Sequence, residues 1–253
     1  MGLRNYITTL FVAFAAVAAA AQTQVVAHRG YWRAPGSAQN CIASLCKADS
    51  INCYGSELDV WLSSDGVLFV NHDAVFKGHN VEQSSSAELS AIILDNGEHM
   101  PTLDEYLAKA KTLKTRIVLE LKAHQTKEKE AEAVAKIVEM VEKYGLTDRT
   151  EYISFSLFAC KEFKRVAPQG TDIYYLNGEL SPAELKTLGF AGFDYSMGPI
   201  KKHPEWIEEA HKLGLKVNVW TIDKEADMQW LIDQKVDFIT TNEPVLLQQL
   251  LRK

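Results

Sequence analysis

From residue 22 onward, short runs of β-branched and aromatic residues alternate with longer amphipathic stretches. The pattern predicts strands at 24–28 (QVVAH), 55–60 (GSELDV), 115–122 (TRIVLELK), 150–155 (TEYISF), 172–176 (DIYYL), 192–196 (GFDYS), 215–221 (LKVNVWT) and 236–241 (VDFITT). Helices are predicted near 39–49, 102–113, 127–145, 157–166, 182–188, 203–213, 224–234 and 244–251. Thr102 with Glu105 three residues later has the spacing of a capping box, and Gly145 and Gly214 follow helical runs, where helices stop. This alternation predicts a single-domain α/β protein, a (β/α)₈ TIM barrel. A doubly wound open sheet would alternate in the same way, but neither G-x-G-x-x-G nor G-x-x-x-x-G-K-[ST] occurs. The stretch 74–100 has weak periodicity and is expected to be an excursion over the barrel mouth.

The first 21 residues do not fit the alternation. Arg4 precedes an apolar run from Leu10 to Ala21, and small residues stand before Gln22. That is the pattern of a secretory signal peptide with cleavage after Ala21, and the run is short for a membrane span. The expectation is an exported protein, periplasmic or secreted, with a mature chain of 22–253 and no stable membrane span after cleavage. Of the 253 residues, 47% are hydrophobic, which suffices for one sizeable core. The net charge of −6 and the lack of a basic patch argue against nucleic acid as a partner. Composition does not fix the oligomeric state. The cysteines, Cys41, Cys46, Cys53 and Cys160, contain no C-x-x-C pair, so a zinc or redox motif is unsupported. Cys41 and Cys46 are expected to share a helix. Cys46 with Cys53 is the conceivable disulfide, but the four are expected to behave as small buried hydrophobes.

Polar residues interrupt the strands near their C-terminal ends, where a barrel of this kind gathers its chemistry. The first strand ends in His28 and Arg29. The second carries Glu57 and Asp59, two apart and therefore on one face. After the turn SSDG, the run FVNHD (69–73) delivers His72. Glu120 and Lys122 share one face of the third strand, opposite Leu119 and Leu121. Each has a bland alternative: a satisfied structural histidine, a solvated edge or a structural salt bridge. Together, three carboxylates near one mouth are costly to bury without a cation. An all-oxygen donor set implies a hard ion such as Mg²⁺ or Ca²⁺. The histidines are then free for acid–base work, and Arg29 and Lys122 suit a phosphate.

These motifs resemble those of the glycerophosphodiester phosphodiesterases over nearly all of the mature chain. AHRG resembles the family's opening H-R-G, and APGSAQNCIAS its P-E-N-T segment. GSELDVWLSSDGVLFVNHD is similar to its E-x-D, D-G and H-D series. MPTLDEYL, LELK and VNVWT…TTNEP follow in the family's order. The resemblance implies a (β/α)₈ barrel that hydrolyses small-molecule glycerophosphodiesters to an alcohol and sn-glycerol 3-phosphate. It assigns His28 and His72 to acid–base catalysis, with His72 as the acid and His28 as the base the expected division. It assigns Glu57, Asp59 and Glu120 to a divalent metal and Arg29 and Lys122 to the phosphate. Trp220 would wall the glycerol pocket. Two residues depart from the family's pattern. Gln39 stands where Glu is usual, with an expected effect on metal binding or on glycerol contacts. Asn242 replaces the Asp of T-D-x-P, with little expected consequence. Competing readings are phospholipase D-like hydrolysis of lysolipids or sphingolipids, and non-catalytic binding of glycerophosphodiesters.

Overall fold

The computed structural model describes residues 22–252, so the expected signal peptide at 1–21 lies outside the described residues. The strands are β1 (Gln24–Ala27), β2 (Gly55–Leu62), β3 (Leu68–Val70), β4 (Val75–Phe76), β5 (His79–Asn80), β6 (Arg116–Leu121), β7 (Thr150–Ser154), β8 (Ile173–Tyr175), β9 (Gly192–Ser196), β10 (Lys216–Trp220) and β11 (Phe238–Thr241). Eight of them pair in parallel in the order β1-β2-β6-β7-β8-β9-β10-β11, and β11 returns to β1, closing the barrel. β3 folds back antiparallel on the end of β2, and β4 and β5 form a separate small hairpin.

The helices are α1 (Ile42–Ser50), α2 (Ser86–Ser90), α3 (Leu103–Ala110), α4 (Lys127–Tyr144), α5 (Leu157–Val166), α6 (Pro182–Leu188), α7 (Met197–Lys202), α8 (Glu205–Lys212), α9 (Glu225–Asp233) and α10 (Pro244–Leu250). The Thr102–Glu105 capping box forms at α3, and Gly145, left-handed at φ 68°, ends α4. Two helices were not expected from the pattern. α2 lies inside the 74–100 excursion, and α7 carries Gly198 and Pro199, which hide its periodicity.

The expected helix at 39–49 begins only at Ile42. Asn40 is left-handed (φ 58°), and Cys41 is the N-cap, its Sγ accepting from the Ser44 amide at 3.2 Å. Cys41 and Cys46 therefore do not share a helix. All four cysteines are free, so the Cys46–Cys53 bridge is not formed.

Alternation along the strands builds two layers. Leu58, Val60, Ile117, Leu119 and Leu121 face the helices in the main core, while Val26, Val118, Ile153, Tyr174 and Phe238 fill the barrel interior. All eight residues of β2 are buried, as expected of a strand covered on both faces. The excursion makes its own small core, Val81, Leu89, Ile92, Leu94 and Met100 packing on Trp61 and Phe69. No helix among the described residues is long and apolar enough to cross a membrane.

Candidate active site

The parallel register of β2 and β6 sets Asp59 directly beside Glu120, with Glu57 two residues earlier on the same inward face. One oxygen from each of the three carboxylates lies within 4.8 Å of the others. They are 2%, 1% and 8% exposed for Glu57, Asp59 and Glu120. Two cations answer them. Lys122 Nζ stands 2.7 Å from Glu120 Oε1 and donates to Asp59 Oδ1 at 3.2 Å, and Arg29 Nε is 3.6 Å from Asp59 Oδ2. Asn40 donates to Asp59 Oδ2 at 2.8 Å and accepts from the Asp59 amide at 3.2 Å. Glu57 Oε2 accepts from the Arg29 amide at 2.7 Å, but its buried Oε1 has no partner.

Protonation follows this geometry. Burial, then Asp59 and Glu120, pushes Glu57 well above the usual carboxylate range. Burial and Asp59 raise Glu120 to about 7 against the pull of Lys122. Burial also works to raise Asp59, but Lys122, His72, Asn40 and Arg29 together hold it below its ordinary value. An orphaned buried oxygen among converging carboxylates fits a hard cation in both donor type and charge.

The turn after β1 places His28 and Arg29. Arg29 is left-handed at φ 56°, an uncommon state for a side chain of its size, and this turns its amide onto Glu57. Gly30 follows at φ 73°, where a Cβ would lie 2.4 Å from Ser44 Oγ, so only glycine fits. The guanidinium donates through Nη1 to Gln39 Oε1 at 2.6 Å. Gln39 is thus exposed and tied to Arg29, outside the carboxylate cluster. Burial and the Arg29 charge push His28 down to about 4.

His72 lies in the loop after β3. Loop backbone, unlike a strand, lets neighbouring side chains meet, and His72 Nδ1 contacts Asp73 Oδ1 at 2.7 Å. The Trp61 indole donates to the His72 carbonyl at 3.2 Å and fixes the loop.

A cavity of about 140 Å³ brings these residues together: His28, Arg29, Glu57, His72, Glu120, Lys122 and Trp220 all line it. Trp220 stands edge-on to Phe155 at 5.5 Å, its indole donating to the Asp194 carbonyl at 2.9 Å. His72 also lines a second cavity of about 610 Å³, shared by Trp32, Arg33, Gln39, Asn40, Phe76, Leu94 and Asp95. The excursion therefore walls one side of the mouth. Of the sequence candidates, Gln39 and Asp59 do not line the smaller cavity: Gln39 lines the larger one, and Asp59 is buried in the carboxylate cluster.

Sequence reasoning missed Asn40, Asp194, Asp223 and the part played by Asn242. Asp194, on β9 and lining the smaller cavity, is pushed well above its ordinary range by burial and by Glu120. Its signal was a lone carboxylate between aromatics in GFDYS. Asn40 and Asp223 are short polar residues in loops and carry no periodic signal.

Comparisons with known proteins bear on the family and the fold. Residues 28–246 match the Glycerophosphoryl diester phosphodiesterase family. A glycerophosphodiester phosphodiesterase from Caldanaerobacter subterraneus subsp. tengcongensis is 28% identical over 92% of this chain and 99% of its own. The crystal structure of a glycerophosphodiester phosphodiesterase from Parabacteroides distasonis is 47% identical, with a TM-score of 0.90 over 92% of this chain and 98% of that one. An Oleispira antarctica phosphodiesterase, solved in complex with the product sn-glycerol-3-phosphate, is 25% identical with a TM-score of 0.78, over 92% of this chain and 98% of its own. With the family's pattern running through most of its length and the same barrel beneath it, the chain belongs, as an enzyme, to the glycerophosphoryl diester phosphodiesterase family.

Proposed function

We propose that this phosphodiesterase hydrolyses glycerophosphodiesters to an alcohol and sn-glycerol 3-phosphate with the aid of a divalent cation, Mg²⁺ or Ca²⁺, and two histidines. The carrying observation is the orphaned Glu57 Oε1 in a cluster of three buried carboxylates, two of which, Glu57 and Glu120, line one cavity with both histidines. Glu57, Asp59 and Glu120 would hold the cation, which supplies Lewis acidity toward the phosphoryl oxygens. Arg29 and Lys122 present positive charge to the phosphodiester, and Trp220 with Phe155 walls the glycerol. His28, held neutral by burial, takes the proton of the nucleophile, which is water or the substrate's own 2-hydroxyl; on the second route the alcohol leaves as a cyclic phosphate forms, which water then opens to glycerol 3-phosphate. His72 lies between the two cavities, where it can protonate the departing alcohol as the P–O bond breaks. The larger cavity would receive that alcohol. Product binding by the Oleispira relative supports the same substrate class.

The phospholipase D-like reading needs room for an acyl chain. The apolar walls given by Ile153, Phe155, Leu176 and Trp220 enclose only about 140 Å³, which favours a short polar group. The test is to strip the protein with chelator, add back Mg²⁺ or Ca²⁺, and measure release of glycerol 3-phosphate from several glycerophosphodiesters. We expect activity to vanish and return with the cation. Full activity in excess chelator would sink the metal reading. Release from lysolipids alone would favour the phospholipase D-like one, and binding without turnover the non-catalytic one. We also take the enzyme to be exported, which N-terminal sequencing of the mature protein would check: a chain still beginning at Met1 would exclude cleavage after Ala21.

A further inference from the structure

We propose that Asn242 is a positioning residue that fixes the proton of His28 on Nδ1 and so leaves Nε2 as the basic nitrogen of the site. The proposal rests on the reading of His28 as the base. Asn242 follows β11 and stands beside the turn that carries His28. Its Oδ1 accepts from the Trp32 indole at 2.8 Å and lies 2.9 Å from His28 Nδ1. Its Nδ2 donates to Asp223 Oδ2 at 2.8 Å.

These partners settle which way the amide faces. An indole N–H only donates, so it requires the amide oxygen. An ionised carboxylate only accepts, so it requires the amide NH₂. Asp223 is itself held in place, its Oδ1 accepting from the Asn242 amide at 2.9 Å and from Thr241 Oγ1 at 3.2 Å. The atom facing His28 is therefore an acceptor without a proton of its own. A neutral imidazole in that position must donate from Nδ1, because the other tautomer would set a lone pair against the amide oxygen. No protein hydrogen bond reaches Nε2 among the described residues, and His28 lines the small cavity.

Asn242 thus has a consequence that its departure from the family's Asp conceals. What the arrangement requires is one amide and one carboxylate at positions 242 and 223. Asn242 supplies the first and Asp223 the second, and exchanging them should preserve the acceptor that faces His28. Placing Asp at 242 alone would set two carboxylates against each other.

The test uses histidine-labelled protein and imidazole ¹⁵N shifts, with His28→Gln providing the assignment. It compares wild type, Asn242→Leu, Asn242→Asp and the exchange Asp223→Asn/Asn242→Asp. Near neutral pH the wild-type proton should sit on Nδ1. Asn242→Leu should populate the Nε2–H tautomer and lose kcat on the order of 10²-fold, with KM on glycerophosphocholine unchanged. Asn242→Asp should also fall, and the exchange should recover both the Nδ1 proton and kcat to within about threefold of wild type, as a coupled pair does. A proton on Nε2 in wild type would overturn the proposal. So would a leucine variant that keeps the Nδ1 tautomer, whether it retains kcat or merely raises KM. If Asn242→Leu does not fold, failure of the exchange to recover the tautomer overturns it instead. A wild-type protein that shows the Nδ1 proton but no diesterase activity would refute the function and leave the tautomer assignment standing.

Discussion

At the N-terminal end of the barrel, Glu151 is 3% exposed and matched. Tyr54 Oη donates to its Oε1 at 2.5 Å and Arg116 Nε at 3.0 Å. At the C-terminal end, Glu57 is 2% exposed, has two carboxylate neighbours and keeps one oxygen without a donor. Burial is the same at the two ends, but satisfaction is not. A buried charge given its own donors is part of the scaffold. A buried charge left short of donors costs stability unless something else binds there.

Removing a charge at each end is the most forceful way to break this contrast. Glu57→Gln keeps an oxygen for the Arg29 amide and removes one of three crowded carboxyl groups. We expect activity to fall on the order of 10³-fold, because the Lewis acid is worth several kcal/mol, while the melting temperature of the chelated protein holds or rises. Glu151→Gln leaves Arg116 half-buried without its ion partner. It should cost about 1–3 kcal/mol of stability and leave the turnover of folded molecules unchanged. Thermal melts and initial rates on both variants decide it. Equal loss of stability at both ends would mean that the mouth cluster is structural after all.

The sequence carried one half of this contrast well. Period-two alternation made Glu57, Asp59 and Glu120 stand out, because a carboxylate at an inward position of a covered strand has few structural uses. The barrel itself was legible because each strand is followed by an amphipathic helix. Contacts made by loops were not. Asn40 acts through a left-handed turn that brings it to Asp59, and Asn242, held by Asp223, meets His28 and Trp32 across the closure of the barrel, 214 and 210 residues away; no local pattern encodes either contact. His72 and Asp73 would point apart if they were neighbours in a strand. They meet because β3 stops at Val70.

The histidines sharpen the same contrast. His211, at the floor, pairs with Asp237 at 3.0 Å, whereas His28 and His72 line the cavity. His211→Ala should leave rates unaltered. His28→Ala should lose heavily on every ester. His72→Ala should lose on the order of 10²-fold on glycerophosphocholine but far less on a p-nitrophenyl glycerophosphodiester, whose leaving group departs without a proton. The reverse pattern would exchange the roles of acid and base. Small and equal losses for both would remove the two-histidine mechanism.

A weaker signature lies in the pH dependence of stability without metal. Burial and Asp59 raise Glu120 from 4.5 to about 7 in the folded protein. The folded state therefore holds a proton that the unfolded chain releases. The stability this group contributes is full below 4.5 and is lost as pH rises through about 7. His28, lowered from 6.5 to about 4, works in the opposite sense: its contribution is full above 6.5 and is lost as pH falls through about 4. The two overlap, so the useful quantity is the difference between wild type and Glu120→Gln, in which the His28 contribution largely cancels. In chelator, the variant's advantage in melting temperature should widen from pH 5 to pH 8. A constant gap would mean that Glu120 is ionised throughout that range in the folded protein.

The smallest expected effect is at Gln39, where a carboxylate would add to the mouth's excess of negative charge if it reached the cluster. The geometry says that it does not. Gln39 is exposed, and its Oε1 already accepts from Arg29 Nη1 at 2.6 Å, while its neighbour Asn40 turns inward to Asp59. A glutamate here would meet the guanidinium first, forming a largely solvated pair worth about 0–1 kcal/mol. Calorimetric titration of Gln39→Glu with Mg²⁺ or Ca²⁺ should therefore give an affinity within about fivefold of wild type. KM for the anionic substrate should rise slightly as Arg29 is partly neutralised. Tightening of the metal by more than about tenfold, or 1.4 kcal/mol, would place the new carboxylate among the ligands. Arg29 would then have to release residue 39 when the cation binds, and the mouth would be a site that rearranges around its metal.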